Sequence, residues 1–254
     1  MKRASLAVDL AEALESHDWA LALGECGSAA FGRADDLSDL DLVLTVEDGR
    51  LEDAIALVES VMQSQGGFSQ KYELPQPTWH GAWQAFYRPA SDNPFLMLDI
   101  CIVERSKPWT FTERLRHGEP VVFFDKIGAL IATEMTGEEI ANYARPKFEQ
   151  HAAVMEMFHD FPEKELRRGN HVDAFAYYHS LLLTRVVALL RIRHCPERHD
   201  FGFRYLKHDL PPEAAEEIER LLFVRDGDDL RAKVARSLEL GRRAVAEVRE
   251  SGML

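Results

Sequence analysis

Residues 27–42 constrain this chain more than any other segment, because they place a glycine-serine turn and two carboxylates between two apolar runs. The runs at 19–23 and 42–46 predict buried strands. A glycine-serine turn can bring backbone N–H groups close to a phosphate, since glycine has no side chain in the way. Asp39 and Asp41 are two residues apart and would point the same way on a strand. The segment therefore predicts a magnesium site beside a phosphate-sized turn.

A third carboxylate, Asp99, is the single charge in the apolar run 96–103. An unpaired charge buried in such a strand would cost several kcal/mol. Asp99 is therefore expected to bind a metal ion, to pair with an arginine or a backbone N–H, or to lie at the surface. The alternative for Asp39 is a turn or capping role. Taken with the glycine-serine turn, the three carboxylates favour the metal site.

The first half of the chain predicts a mixed sheet flanked by helices. Leucines at helical spacing predict a helix over 5–16, and residues 51–63 predict an amphipathic helix that ends before Gly66. Three further strands are expected, with prolines between them, at 71–74, 83–87 and 95–103.

From about Thr136 onward strand signals almost vanish, and Thr136 followed by Glu139 predicts a helix N-terminal cap. Helices are expected at 138–159, 172–193, 212–223 and 230–250. The predicted fold class is α+β, with a mixed-sheet domain over 1–130 and a C-terminal all-α helical bundle over 131–254.

Composition narrows the classes of partner. The chain has 254 residues and a formal net charge of −13, and residues 1–130 carry 11 Lys and Arg against 21 Asp and Glu. An acidic surface repels phosphate backbones, so tight nonspecific nucleic-acid binding is not expected. No apolar stretch approaches the roughly 20 residues of a membrane span. The three cysteines are far apart, which is typical of reduced thiols in a cytoplasmic protein. We expect a cytoplasmic chain that binds neither nucleic acid nor membrane.

The pattern Gly27-Ser28, nine residues, Ser38-Asp39-x-Asp41, with Asp99 on a later strand, resembles the signature of the DNA polymerase beta-like nucleotidyltransferase superfamily. Its spacing is similar to that of small bacterial members, among them the antibiotic adenylyltransferases and the minimal nucleotidyltransferases. The resemblance covers about the first 105 residues and implies the nucleotidyltransferase fold there. One position departs from the pattern, because Phe31 stands where many relatives have arginine.

The resemblance implies a reaction. A nucleoside monophosphate, with AMP the expected group, would move from ATP or another NTP to a hydroxyl of a small molecule, and pyrophosphate would leave. Asp39 and Asp41 would bind a Mg²⁺ ion that bridges the triphosphate. Asp99 would bind a second Mg²⁺ ion on the acceptor side and take the hydroxyl proton. Gly27, with the Ser28 and Ser38 hydroxyls, would hold the phosphates.

The resemblance also implies that the helical bundle contributes to nucleotide and acceptor binding. Arg185 lies among leucines and valines, where an inward-facing cation needs an anion. A triphosphate would serve, and so would an internal Asp or Glu. Lys207 follows a glycine-containing turn and is a second candidate for phosphate binding, with a solvated loop as its alternative. Arg193 and His199 also fit the short Arg-x(4–6)-His pattern of HEPN ribonucleases, although Pro196 would break the helix between them.

Three functions stay open on this sequence. The first is transfer to a small molecule such as an aminoglycoside- or lincosamide-like antibiotic, since an acidic domain suits a cationic acceptor. The second is a protein-modifying nucleotidyltransferase of a toxin–antitoxin type system, although the minimal forms usually lack a separate helical domain. The third is a non-catalytic nucleotide-binding relative, against which the presence of all three aspartates argues.

Overall fold

The computed structural model describes residues 2–107 and 111–254, and the chain divides into two compact units, Met1–Glu134 and Met135–Leu254. The first unit contains helices and strands in the order α1 (Arg3–Glu15), β1 (Ala20–Glu25), α2 (Gly27–Ala30), β2 (Leu40–Val46), α3 (Leu51–Ser64), β3 (Phe68–Glu73), β4 (Trp83–Pro89), β5 (Leu98–Glu104), α4 (Arg114–His117) and β6 (Val121–Asp125).

The six strands form one mixed sheet in the order β3-β4-β5-β2-β1-β6. The central neighbours β2 and β5 are parallel, and every other neighbouring pair in this sheet is antiparallel. Parallel strands need a long connection, and here the chain from β2 to β5 passes through α3, β3 and β4. The α+β prediction with a mixed sheet is confirmed for this unit.

The two faces of the sheet have different coverings. Leu40, Leu42 and Leu44 of β2 are buried in one core cluster together with the apolar faces of α1 and α3. Successive strand residues point to opposite faces, so Asp41 and Val43 project from the other face. That second face has a smaller cluster, which includes Val43, Cys101 and Leu130. A polar site can occupy the part of the second face that this small cluster leaves uncovered.

The sheet has one more strand than the sequence analysis predicted. Strand β6 pairs with β1 at the sheet edge, and its first two residues are exposed. The run of β-branched and aromatic residues at 121–124 is the signal that could have identified it. Beyond it, Asp125 accepts hydrogen bonds from four successive backbone N–H groups, at 127–130, which turn the chain away from the strand.

The second unit is built from helices that loops and turns connect. Its helices are α5 (Gly137–Phe158), α6 (Phe161–Arg167), α7 (His171–Tyr177), α8 (Thr184–His194), α9 (Leu206–Asp209), α10 (Pro212–Leu222) and α11 (Gly227–Ser251). The predicted cap is confirmed, because the Thr136 hydroxyl accepts from the Glu139 N–H and the Glu139 carboxylate accepts from the Thr136 N–H. The all-α prediction is confirmed for this unit.

The helix predicted over 172–193 is continuous but not regular. A π-helical segment, Tyr178–Leu183, joins α7 to α8, and the Thr184 hydroxyl donates to the His179 carbonyl at 2.7 Å. The whole stretch His171–His194 is long and apolar enough to cross a membrane by length and composition alone, with a mean hydropathy of 1.2 in its most apolar window. That window is 56% buried inside the unit, and the core helix of a soluble protein passes the same test. The expectation of no membrane stays a prediction.

A buried arginine organises the segment that follows α8. Arg191 is fully buried and donates to the Asp209 carboxylate at 2.7 Å and to the Gly202 carbonyl at 2.8 Å. It also donates to the Arg204 carbonyl, and Asp209 accepts a second bond, from Arg198, at 2.6 Å. These bonds hold the loop between α8 and α9 in place, so the Arg191 and Arg198 side chains have a structural explanation.

Candidate functional site

Strand pairing brings two of the three predicted carboxylates together. Asp41 of β2 and Asp99 of β5 are partners in the parallel register, so they occupy equivalent positions on adjacent strands. Their neighbours in sequence, among them Leu40 and Leu98, are buried on the face covered by α1 and α3. Both aspartates therefore project from the opposite face. Asp39 lies one residue before β2 rather than within it, which differs from the expectation that it shares the strand.

The glycine-serine turn lies directly beside Asp41. Gly27 begins α2 with a φ of +57°, a conformation that favours glycine. A Cβ at this position would overlap the Asp41 carboxylate. The Cys26 N–H donates to the Asp41 carbonyl at 2.8 Å, which ties the turn to β2. The absence of a side chain at Gly27 is thus what lets the Asp41 carboxylate lie against the turn.

The electrostatic environment of the three carboxylates disfavours their charged forms. Burial raises the pKa of Asp99 to about 6, the hydrogen bond from Gln84 opposes the rise, and the charges of Asp41 and Asp39 add to it. Burial also raises the pKa of Asp41, with a further contribution from Asp39 and a smaller opposing one from Arg3. The pKa of Asp39 is raised by burial, against the charges of Arg88 and Arg3. Within residues 2–107 and 111–254, none of the three carboxylates forms a salt bridge.

The carboxylates fit a hard divalent cation by their chemistry. Carboxylate oxygens are the ligands that Mg²⁺ prefers, and a bound cation would stabilise the charged forms that burial, and for Asp41 and Asp99 also mutual repulsion within the group, disfavour. Over the part of the chain that the structure describes, no group of three or more His, Cys, Asp or Glu side chains is arranged to hold a metal ion. Asp39, Asp41 and Asp99 are thus candidate Mg²⁺ ligands by their chemistry and their neighbouring positions, and their side chains as they stand do not form such a group.

The two predicted serines have different surroundings. Ser38 closes a short turn, since its hydroxyl donates to the Asp35 carboxylate and accepts from the Asp35 N–H, both at 3.0 Å. The Ser28 carbonyl accepts from the Arg33 N–H at 2.9 Å, so the backbone of the glycine-serine turn folds onto itself. Both serines are half-buried and lie in the segment that joins β1 to β2.

Arg185 and Lys207 lie in the second unit. The Nε of Arg185 is buried without a hydrogen-bond partner, and one terminal nitrogen lies 3.4 Å from His151 Nδ1. Burial, together with the charge of Arg185, lowers the pKa of His151 to about 4. No described carboxylate forms a salt bridge with Arg185, whereas Lys207 is exposed and lies 3.4 Å from a Glu219 oxygen. Arg185 therefore has an unneutralised charge, and Lys207 does not.

Comparison with known proteins identifies no close relative. No family model matches the sequence, and no curated protein matches it. Among solved structures, the chain is similar to an aminoglycoside 6-adenyltransferase from Bacillus subtilis. The two are 10% identical, the match covers 97% of this chain and 89% of that one, and the TM-score is 0.36. The likeness is distant.

Two residues near the carboxylates were missed by the sequence analysis. Gln84 of β4 donates through Nε2 to Asp99 Oδ1 at 2.7 Å, and its Oε1 lies 3.0 Å from His80 Nε2. The signal for Gln84 was present, since it is the polar residue that alternates with buried Trp83 and Ala85. Arg3 gave no comparable signal, because only the tertiary structure brings α1 to the site, where its Nε donates to the Asp39 carbonyl at 3.1 Å.

Proposed function

We propose that this chain is a Mg²⁺-dependent nucleotidyltransferase that moves AMP or another nucleoside monophosphate from an NTP to a hydroxyl of a small molecule. The observation that carries the proposal is the in-register pair Asp41 and Asp99 on the sheet face that α1 and α3 do not cover. Asp39 precedes the pair, and the Gly27 turn lies beside it. Clustered carboxylates without a cationic side chain paired to them, next to a glycine turn, suit a metal-bound triphosphate.

The residues would divide the chemistry between them. Asp39 and Asp41 would hold the Mg²⁺ ion associated with the triphosphate, and Asp99 would hold the ion on the acceptor side. Two such ions stabilise the attacking and the leaving oxygen of an in-line displacement. The acceptor oxygen would form a bond to the α-phosphorus of the NTP. The bond from the α-phosphorus to the oxygen that bridges the α- and β-phosphates would break, and pyrophosphate would leave. The hydroxyl proton would go to Asp99 Oδ2, because Oδ1 already accepts from Gln84.

The glycine-serine turn would bind phosphate, and Arg185 and Lys207 are the other candidate phosphate-binding residues. The backbone N–H of Gly27, a residue that lies against the Asp41 carboxylate, and the hydroxyl of Ser28 next to it are the candidates in the turn. The Ser38 hydroxyl would have to exchange its bond to Asp35 for one to phosphate. Arg185 supports the proposal better than Lys207 does, because its guanidinium has no carboxylate partner among the described residues. An unpaired guanidinium is a strong donor to a phosphate oxygen.

The acceptor is proposed to be a small cationic molecule of the aminoglycoside kind. The support is the excess of acidic residues over 1–130 and the negative charge of the three carboxylates themselves. The same charge supports the expectation that no nucleic acid binds. Modification of a protein partner, and nucleotide binding without turnover, are the alternative outcomes of the test.

The test is incubation of the full chain with Mg²⁺ and each of ATP, GTP, CTP and UTP, against a panel of antibiotics and hydroxylated metabolites. Pyrophosphate release and the mass of the adduct are measured. An adduct on one small molecule, lost in Asp41→Asn and Asp99→Asn but retained in Asp36→Asn, is the expected result. Asp36 is a matched control, since it is an exposed carboxylate in the same segment. Labelled protein, or bound NTP with no pyrophosphate from any acceptor, would contradict the proposal.

A further inference from the structure

We propose that Gln84 is a positioning residue that holds one oxygen of Asp99, and that His80 sets the direction of the Gln84 amide. The inference rests on the proposed function, since it concerns how the Asp99 carboxylate is presented to a cation and to the acceptor hydroxyl.

Gln84 on β4 lies within hydrogen-bond reach of Asp99 on β5. In the antiparallel pair of β4 and β5, Gln84 is the partner of Cys101 and Phe86 is the partner of Asp99. Gln84 is thus diagonal to Asp99 on the same face of the sheet, within reach of its side chain. The bond from Gln84 Nε2 to Asp99 Oδ1 measures 2.7 Å. Because Oδ1 is held, Oδ2 is the oxygen left for a cation or a proton.

The surroundings of His80 decide the orientation of the Gln84 side-chain amide. The Ala82 N–H points to His80 Nδ1 at 3.3 Å, which assigns Nδ1 as the acceptor nitrogen of the ring, and Thr78 Oγ1 lies 3.4 Å from the same nitrogen. In the neutral ring the proton is then on Nε2, which donates to Gln84 Oε1 at 3.0 Å. Thr78 closes the loop by donating its hydroxyl to the Ala82 carbonyl at 2.5 Å. With its oxygen held by His80, the Gln84 amide presents its NH₂ group to Asp99.

If the Gln84 amide were flipped, it would make two unfavourable contacts. Its oxygen would face the Asp99 carboxylate, and its NH₂ group would face the protonated Nε2 of His80. Both contacts would be repulsive, so His80 selects the orientation that donates to Asp99. Loss of His80 removes this selection but leaves Gln84 in place.

The Gln84 side chain adds no charge beside Asp99. Gln84 is neutral, so it orients the carboxylate without cancelling the negative charge that attracts a cation. An arginine or lysine in its place would compete with Mg²⁺ for the same oxygens. Donors that orient a ligating carboxylate in this way contribute roughly 10- to 100-fold to metal affinity when they are tested by mutation.

The experiment measures Mn²⁺ binding to the full chain, by calorimetry and by electron paramagnetic resonance, at neutral pH with ATP present. The variants are Gln84→Leu, Gln84→Asn, His80→Leu and His80→Gln, with Gln70→Leu as the control. Gln70 lies on β3, is exposed, and contacts none of the three carboxylates in the described structure. The thermal midpoint of each variant without metal shows whether it folds.

Gln84→Leu is expected to weaken Mn²⁺ binding about tenfold and to change the resonance spectrum, with a thermal midpoint close to that of the parent. His80→Leu is expected to weaken binding severalfold, and His80→Gln to restore it, because a glutamine amide can donate where Nε2 does. Gln84→Asn retains an amide on a side chain that is one carbon shorter, and it takes the place of Gln84→Leu in the comparison if Gln84→Leu does not fold.

Failure of the proposed function and failure of the positioning role of Gln84 would give different results. If the parent binds no Mn²⁺, or binds it as well after Asp41→Asn, the proposed function itself is overturned. If Asp41→Asn abolishes binding but both Gln84 variants bind like the parent, the positioning role of Gln84 is overturned. Equal binding by His80→Leu and His80→Gln would overturn the role of His80.

Discussion

Asp41 and Asp99 are register partners on the parallel strands β2 and β5, and the charge of Asp41 adds to the rise in the pKa of Asp99 that burial causes. A sheet interior would ordinarily place apolar residues at both positions. Half-buried like charges without a salt bridge destabilise a fold, and they persist where function needs them.

Asp99→Asn is expected to abolish transfer and to stabilise the metal-free protein. The substitution keeps the shape and the oxygen that accepts from Gln84, but it removes a buried charge and its repulsion with Asp41. A gain of about 1 kcal/mol in the free energy of unfolding is expected. Urea denaturation in the presence of a chelator measures it, with Asp36→Asn as the control. A lower stability of Asp99→Asn without metal would contradict the electrostatic account.

Gly27→Ala and Gly32→Ala form a matched pair. Both glycines have a positive φ, +57° and +64°, so each substitution costs roughly 1–2 kcal/mol of backbone strain. A Cβ at Gly27 would also overlap the Asp41 carboxylate, whereas a Cβ at Gly32 would meet nothing within 4 Å. Gly27→Ala is therefore expected to lose Mn²⁺ binding and activity, and Gly32→Ala to keep both. Calorimetry and turnover on the two purified variants decide this, and equal losses in both would show that strain alone is responsible.

Arg185→Gln is expected to raise the KM for the NTP about tenfold, with a smaller effect on the KM for the acceptor. The reason is the loss of a charge-assisted bond from a guanidinium that no described carboxylate neutralises. Lys207→Gln is expected to have a smaller effect, because Lys207 is exposed and lies near Glu219. Steady-state kinetics with each substrate varied in turn measure both. An unchanged KM for the NTP in Arg185→Gln would remove Arg185 from the nucleotide site.

Stability is expected to fall between about pH 6.5 and pH 4 because of His151. Its pKa is lowered from 6.5 to about 4, first by burial and then by the charge of Arg185. Above pH 6.5 the His151 ring is neutral in both the folded and the unfolded chain, so it contributes nothing to the pH dependence of the free energy of unfolding. As the pH falls toward 4, the unfolded chain binds a proton that the folded chain does not, so the free energy of unfolding decreases.

The His151 contribution is measured as the difference between the parent and His151→Gln across this pH range. Solvent screening of a half-buried ring reduces the expected difference to about 1 kcal/mol. His208→Gln is the control, since His208 is exposed. In a proton resonance titration, Arg185→Gln should raise the pKa of His151, and a downward shift would contradict the assignment.

The cysteines are expected to be unreactive in the folded protein. Burial raises the pKa of Cys26 to about 12, with further contributions from Asp41 and Asp99, and burial likewise raises the pKa of Cys101. Cys195 is buried as well, and its pKa is raised to about 11, chiefly by burial. Since the thiolate is the reactive form, all three should resist a thiol reagent until the chain unfolds. Rapid labelling of any of them in native buffer would contradict these environments.

Local patterns in the sequence determined much of the fold. The apolar runs that flank Asp41 and Asp99 predicted buried strands, and Thr136 with Glu139 predicted the start of α5. These signals act over a few residues, through runs of apolar side chains and hydrogen bonds at helix ends, so they are visible without a structure. The three aspartates and the Gly27 turn were found in the same way.

Only the tertiary structure decided which of these pieces are neighbours. The parallel pairing of β2 with β5 is non-local, and no local pattern states that Asp41 faces Asp99 rather than another strand. The bond from Gln84 to Asp99 and the approach of Arg3 to Asp39 depend on the same long-range packing. Strand order and side-chain partners are set by the burial of whole faces against each other, a property of the assembled unit and not of any short segment.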